Sequence, residues 1–314
     1  MAIYAIRRIV LSGLICLVAM TIMFSLVYVI PGDPAAIVLG PLATPAMKQA
    51  LIARMGLDQP LGLQLLHFFR NVLVGDLGTD VWSGRSVTVI VLEALPYTLT
   101  LAVAALGWAA LLGIPLGCLA AVRRGSLADR IAAILSVAAL AVPSFVVAIY
   151  LLLVFAVSLH WFGATGAGAP GHPLDELGHL VLPAIAVGLG WVGYLARLVR
   201  ASMLDVLSEP HVRTARAFGL PERRIIFSYA LRIAVLPTIT VIGQGVGGLL
   251  SSAVFAEVVF NRPGLGRLVL GAVNTRNYPV VMGAVLVTVL LFTLCTLIAD
   301  LLVAALDPRI RASL

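Results

Sequence analysis

The sequence predicts an all-α membrane protein with six transmembrane helices and with its N and C termini in the cytoplasm. Three observations predict this class. Hydrophobic residues make up 61% of the 314 residues and charged residues 11%, whereas a soluble domain carries about 25% charged residues. Six long stretches contain no Asp, Glu, Lys or Arg, and the segments between them divide the basic residues unequally. Lipid must therefore be the solvent for much of the chain.

A membrane-spanning helix needs about 20 apolar residues, and each span must be helical because lipid offers no partner for free backbone groups. The third uncharged stretch is too long for one helix and becomes rich in glycine and proline from Gly163 to Pro173. We therefore predict a helix to about Ser158, followed by a loop. Pro143 and Pro183 are expected to kink their helices. The six stretches are Ile9–Gly32, Ala94–Val122, Ile131–Leu174, Leu177–Ala196, Ile233–Ala256 and Asn277–Ala299.

The distribution of basic residues predicts the orientation in the membrane. With six spans both termini share one side, and the segments on that side hold 14 Lys and Arg residues against 7 on the other. Basic segments stay in the cytoplasm, which places both termini there. A cleaved signal peptide is the alternative for the first span. Its apolar run is too long and is followed by Pro31–Pro34 rather than by a small-residue cleavage site, so we predict an uncleaved anchor.

These spans divide the chain into predicted units. The polar segment before the second span includes Pro45–Met55, which is expected to be helical and to stop at Gly56. The units are an N-terminal anchor helix at residues 1–32, an extracytoplasmic segment at 33–93, a five-helix transmembrane core at 94–305 with a cytoplasmic loop at 197–232, and a cytoplasmic tail at 306–314.

The cytoplasmic loop carries the clearest local signals. Ser208–Pro210 is a helix start, since proline suits the first helical position, and Gly219 is a natural C-terminal stop before a second start at Pro221. Val212, Ala215 and Gly219 fall on one face, where small side chains would allow close approach by another surface. So short a helix is marginal alone in water. It either docks on a partner or belongs to a basic loop lying against anionic headgroups.

Two acidic residues border the last two apolar runs. An ionisable residue at membrane depth is a functional candidate, and the alternative is an interfacial residue that snorkels or pairs with arginine. We favour the alternative for Asp300. For Glu257 both interpretations stay open, because it precedes a turn at the external mouth. The candidate mouth or gate residues are Glu257, Phe260, Pro263, Gly264 and Gly266.

Other residues give weaker signals. The glycines of the fifth run favour close packing at a helix crossing over a flexible gate. Each of the three cysteines lies in an uncharged run and is expected to be an apolar filler, so no metal site is predicted. His160 and His172 lie near the external face and would have a functional role only if the protein bound a metal chelate there. The net charge of +7 is explained by membrane orientation, so no nucleic-acid partner is expected. The glycines are Gly243, Gly245, Gly247 and Gly248, and the cysteines are Cys16, Cys118 and Cys295.

A series of short motifs resembles one known family along nearly the whole chain. The motifs are Pro31–Pro34, Gly56–Pro60, Gly75–Gly78, Leu95–Thr98, Arg213–Leu220, Ala230–Arg232, Leu236–Pro237, Glu257–Phe260, Pro263–Gly266, Tyr278–Val280 and Leu306–Arg311. Their order and spacing resemble the ABC importer permeases of the peptide/nickel (dipeptide/oligopeptide) transport family, namely the subunit with the larger periplasmic segment. The sequence departs from the family pattern at Arg213–Ala215, at Phe218 where lysine is frequent, and at Asn277 where aspartate is frequent.

The resemblance implies a type I importer fold in the bacterial plasma (inner) membrane. It also implies a second homologous permease, two cytoplasmic ATP-binding subunits and an extracytoplasmic substrate-binding protein as partners. Closure of the ATPases would switch both permeases between inward-open and outward-open states. By the same resemblance the ATPase-coupling residues are Glu209, His211, Val212, Arg213, Thr214, Ala215, Arg216, Ala217, Phe218, Gly219 and Leu220.

ATP and Mg are expected to be used by the partner subunits and not by this chain, which is expected to bind no cofactor. The only lysine, Lys48, follows Met47, so the chain lacks the Gly-Lys pair of a phosphate-binding loop. The resemblance favours peptides as substrate and leaves nickel, glutathione or another small solute open. Two rival classes have their own signatures. A stand-alone secondary transporter would show paired acids, broken helices or repeats, and an intramembrane enzyme would show a nucleophile with its base.

Overall fold

A computed structural model describes residues 2–29, 44–46, 49 and 59–306, and it is helical almost throughout these ranges. The helices are joined by turns and loops, and the one β-type pairing among the described residues is an isolated bridge between Thr79 and Ser86. The N-terminal helices are α1 (Ala2–Val29), α2 (Leu61–Leu73), α3 (Val87–Val122), α4 (Leu127–Ala141) and α5 (Ser144–Leu151), which continues as a π-helix (Leu152–Ser158). They are followed by α6 (Pro173–Leu207), α7 (Pro210–Ala217), α8 (Leu236–Val259), α9 (Leu265–Asn274) and α10 (Tyr278–Leu306). The predicted helix at Pro45–Met55 lies largely outside the described residues.

The all-α membrane fold is confirmed. Five helices of the described chain are long and apolar enough to cross a membrane, and a sixth crossing results if the bent pair α4 and α5 counts as one span. Helix α3 begins at Val87, before the apolar run, and α6 continues beyond Ala196 to Leu207. Both extend into polar sequence because helices end at capping and turn signals rather than where apolar residues stop.

The sequence predicted one helix to about Ser158 for the third span. The structure has two helices there, which meet at 96°. Val142 has extended backbone, with ψ at 121°, and Pro143 caps the start of α5. Proline explains the break, because it has no N–H to donate and it disfavours helical backbone in the residue before it. Pro183 has no such effect, since it lies within the uninterrupted helix α6.

Helix α6 lies at the centre of the fold and packs against α3, α4, α5 and α8. Two glycines make the closest approaches possible. A Cβ at Gly117 of α3 would collide with the Ala196 carbonyl of α6, and a Cβ at Gly193 of α6 would collide with the Ser136 backbone of α4. Small residues at such crossings allow helices in lipid to pack closely.

Three of the four glycines in α8 lie where the fold leaves no room for a side chain. A side chain at Gly243 would collide with Ala299, one at Gly245 with Trp191, and one at Gly247 with Phe292. Gly248 is the exception, because a Cβ there would meet only ordinary contact distances. These glycines therefore allow α8 to pack closely against α10 and α6.

Helix α1 lies outside the core, as expected for the first span. It packs on α10 and α2, and most of its described side chains are exposed. Arg8 Nη1 lies 2.6 Å from Asp300 Oδ2, which confirms the predicted pairing of Asp300 with arginine. An acid on a membrane helix is tolerated when a cation neutralises it.

Candidate functional site

The short helix α7 begins and ends where the sequence predicts. Glu209 is its N-cap and Pro210 its first residue. Gly219 has a φ of +72°, a conformation that glycine adopts readily and other residues rarely. The Leu220 amide closes the turn by donating to the Ala215 carbonyl at 3.3 Å. Helix α7 is therefore a single compact unit with a defined stop.

The buried face of α7 packs on its own chain. Val212 and Ala215 are buried together with Val199 and Met203 of α6 and with Ile225 beyond the turn. The sequence predicted that Val212 and Ala215 allow close approach by another surface, and that surface is α6 rather than a partner. A helix of two turns needs this packing because it is marginal alone. These two residues cannot contact another subunit without unpacking α7.

The exposed face of α7 carries the remaining predicted coupling residues. Phe218 is the most prominent of them, since 82% of the residue is exposed at the helix end. Arg216 Nε donates to Glu222 Oε1 at 2.7 Å, and His211 Nδ1 lies 3.0 Å from Glu209 Oε2. Such exposed pairs contribute little to stability. The exposed set is Glu209, His211, Arg213, Thr214, Arg216, Ala217, Phe218 and Gly219, with Leu220 half-buried.

The predicted mouth residues lie around one buried carboxylate. Glu257 is fully buried, and its carboxylate accepts hydrogen bonds from Thr98 Oγ1 at 2.6 Å, from the Gly266 amide at 2.7 Å and from the Arg267 amide at 3.2 Å. The carboxylate therefore caps the start of α9, where an anion is favoured by the helix dipole. A Cβ at Gly264 would collide with this carboxylate.

Two of the five predicted mouth residues, Pro263 and Gly264, line a cleft, and the mouth role of the set stays a prediction. Glu257, Phe260, Gly264 and Gly266 are buried, and Pro263 alone among the five is exposed. The turn around Pro263 brings α9 back against α8, so the acid and the glycines serve this close approach. Arg262 supports the same turn, with Nη2 3.1 Å from Thr100 Oγ1 and its guanidinium 5.6 Å from the centre of the Tyr97 ring.

A cleft of about 810 Å³ lies between the loop before α3 and the turn around α9. Asp80 and Asn277 line it and are joined by a hydrogen bond from the Asn277 amide to the Asp80 carboxylate. Burial acts to raise the pKa of Asp80, but hydrogen bonds from Ser83, from Asn277 and from two backbone amides outweigh it and hold the pKa below its usual value. The cleft therefore presents an ionised carboxylate.

Sequence reasoning missed three partnerships: Thr98 with Glu257, Asp80 with Asn277, and Asp129 with Arg200. Each joins residues distant in sequence, so local patterns carry no signal for it. Within the described ranges no three His, Cys, Asp or Glu side chains are grouped to hold a metal ion.

Comparisons with known proteins agree on one family. Residues 113–312 match the family model described as the binding-protein-dependent transport system inner membrane component, and residues 1–102 match its N-terminal counterpart. The glutathione transport system permease protein GsiC of Pectobacterium atrosepticum is 40% identical over 311 residues and 98% of each chain. That of Salmonella choleraesuis is 38% identical over 310 residues, again with 98% of each chain covered.

A solved structure supports the fold. The inward-facing MetNI methionine ABC transporter matches with a TM-score of 0.56 and 17% identity, covering 69% of this chain and 96% of that one. The apolar helices agree with a multi-pass protein of the bacterial inner membrane. The chain belongs to the binding-protein-dependent transport system inner membrane components, the permease subunits of ABC importers.

Proposed function

We propose that this chain forms half of the translocation pathway for a peptide-class solute, with glutathione the first candidate, and that α7 receives the movement of a cytoplasmic ATPase. The partners are a second homologous permease, two ATP-binding subunits that hydrolyse ATP with Mg, and an extracytoplasmic binding protein. The identity to GsiC proteins over almost the full chain favours glutathione, itself a modified tripeptide. Nickel and other small solutes are the alternatives.

The position of Phe218 is the observation that carries the coupling role. One face of α7 is fixed to the end of α6 by Val212 and Ala215, while Phe218, the C-cap residue of α7, is exposed. Burying a phenylalanine side chain stabilises a contact by about 1.5–3 kcal/mol. Helix α7 is packed on the central helix α6 and exposes Phe218. A displacement of α7 by a partner that binds Phe218 would therefore be transmitted to α6.

The coupling role is tested in the importer purified with its associated subunits and reconstituted into liposomes. Phe218→Ala is expected to lower ATP-driven solute uptake and to weaken retention of the ATPase during purification. Trp161→Ala is the matched control, because Trp161 is also a largely exposed aromatic residue but lies in the loop between α5 and α6. Unchanged uptake and retention in Phe218→Ala would refute the coupling role.

The substrate is tested in the same liposomes by comparing uptake of labelled glutathione, a dipeptide and nickel at equal concentration. ATP-dependent accumulation of glutathione above the other two supports the proposal. Accumulation of nickel alone would overturn the peptide-class assignment while leaving the permease family intact.

A further inference from the structure

A bidentate ion pair joins α4 to α6 on the side of the fold that carries α7. Arg200 Nε donates to Asp129 Oδ1 at 2.6 Å, and Arg200 Nη2 donates to Asp129 Oδ2 at 2.9 Å. Only 7% of the Asp129 side chain is exposed. Paired contacts of this kind are strong and fix orientation as well as distance. The pair therefore sets how α4 sits on α6.

The same carboxylate also holds the turn between α3 and α4. The Gly125 amide donates to Asp129 Oδ2 at 2.9 Å, and Ser126 Oγ accepts from the Asp129 amide at 3.3 Å. Asp129 thus connects three parts of the chain: the α3–α4 turn, the first turn of α4, and Arg200. A single side chain makes the start of α4 and the end of α6 one unit.

Arg200 lies within the part of α6 that carries α7. Its neighbours Val199 and Met203 are buried against Val212 and Ala215 of α7. A displacement of α7 must therefore move this end of α6, because packed side chains transmit displacement rather than absorb it. Arg200 moves with that end.

Helix α4 leads from Asp129 to the 96° bend at Pro143. The bend lines a cavity of about 520 Å³ together with Trp191 and Tyr194 of α6 and Gly245 of α8. The wall of this cavity is thus formed partly by α4 and partly by α6. Its shape depends on whether these two helices move together.

We propose that the Asp129–Arg200 ion pair makes α4 move with α6 and α7, so that a displacement of α7 reaches the cavity wall at the α4–α5 bend. Asp129 and Arg200 are positioning residues that act through the two helices and do not contact the solute. The inference rests on the proposed coupling role of α7. The two are tested separately: unchanged uptake in Phe218→Ala would contradict the role of α7, whereas a normal ratio of solute to ATP in Asp129→Asn would contradict this inference.

The experiment measures ATP hydrolysis and solute uptake in the same liposomes and reports solute transported per ATP. Asp129→Asn keeps the side-chain shape and removes the charge. Arg200→Lys keeps the charge and removes the guanidinium group that makes both hydrogen bonds to Asp129. Both are expected to retain ATP hydrolysis while solute transported per ATP falls several-fold. Arg130→Gln is the matched control, because Arg130 is an exposed neighbour of Asp129 without an ion pair among the described residues.

The reversed pair Asp129→Arg with Arg200→Asp separates this role from a purely structural one. It is expected to restore part of the ratio that each single reversal loses. A normal ratio in Asp129→Asn, or a fall of uptake and ATP hydrolysis in equal proportion, would overturn the inference. So would failure of all these variants to accumulate in the membrane, since the pair would then serve folding alone.

Discussion

Thr98 of α3 donates a hydrogen bond of 2.6 Å to the buried carboxylate of Glu257 on α8, and its oxygen accepts the Leu265 amide at 2.8 Å. One hydroxyl thus joins α3, α8 and the start of α9. A buried carboxylate is costly unless its oxygens are satisfied, and here three donors satisfy them. This arrangement fixes the turn around Pro263.

Replacing the Thr98 hydroxyl should loosen this turn. Thr98→Val keeps the shape and leaves one carboxylate oxygen and the Leu265 amide without a partner, which destabilises by about 1–3 kcal/mol. A lower unfolding midpoint of the chain in detergent is expected. Thr21→Val is the control, because the Thr21 hydroxyl donates to the Leu17 carbonyl within α1. Equal midpoints for the two variants would count against the described role of Thr98.

Two glycines near this turn should respond in opposite directions to the same substitution. Gly264→Ala places a methyl group against the Glu257 carboxylate, so we expect destabilisation of about 1–3 kcal/mol from overpacking. Gly271→Ala lies in α9 with open space around it, and we expect a gain of up to about 1 kcal/mol from helix propensity. Unfolding midpoints in detergent measure both, and a neutral Gly264→Ala would contradict the packing described.

The stop at Gly219 should be needed for coupling rather than for membrane insertion. Its φ of +72° strains any β-branched residue, so Gly219→Val is expected to displace the Phe218 tip and to uncouple transport from ATP hydrolysis. Gly219→Asn is the control, since asparagine tolerates this conformation. Normal uptake by Gly219→Val, at normal membrane levels, would be inconsistent with α7 as the coupling element.

Local signals in the sequence predicted the elements better than their contacts. Pro210 and Gly219 predicted the bounds of α7, because caps and left-handed stops act within one turn of helix. The face on which Val212 lies was predicted, but the identity of the opposing surface was not. Periodicity reports that a residue is buried and does not say against what.

The longer-range features needed the three-dimensional structure. Pro143 predicted a kink, but its 96° bend depends on how α4 and α5 each pack on α6. Glu257 stayed ambiguous because a functional acid and an interfacial acid look alike in sequence. Its burial and its donors from α3 and α9 are an arrangement that neither alternative described.

The orientation of the membrane spans is open to a direct test. Basic residues predict that α7 faces the cytoplasm and that the loop before α3 faces outward. In intact cells an impermeant thiol reagent should label Ser83→Cys and leave Phe218→Cys unlabelled, with the wild-type chain as background. Both sites are exposed on this chain, and cells that express the chain without the ATPase leave Phe218 uncovered, so burial does not explain a difference. Labelling of Phe218→Cys from outside would reverse the predicted topology.

The contact between Asp80 and Asn277 should depend on the neutral amide of Asn277. Asn277→Asp would place a second carboxylate against an Asp80 whose pKa lies below its usual value and which is therefore ionised at neutral pH. Like charges at this distance raise the pKa of one carboxyl above its unfolded value, so the folded variant binds more protons than the unfolded chain and gains stability as pH falls. The wild type changes in the opposite sense, since the Asp80 contribution is lost only as pH drops below about 4.

Unfolding midpoints should therefore separate the two chains most at about pH 7 and least at about pH 5, where a raised carboxyl pKa lets the variant take up its proton. Asn71→Asp is the control, because Asn71 is an exposed residue of α2 that gains the same charge away from Asp80. A deficit in Asn277→Asp that stays constant between these pH values would show that shape, and not repulsion between two carboxylates, causes the loss.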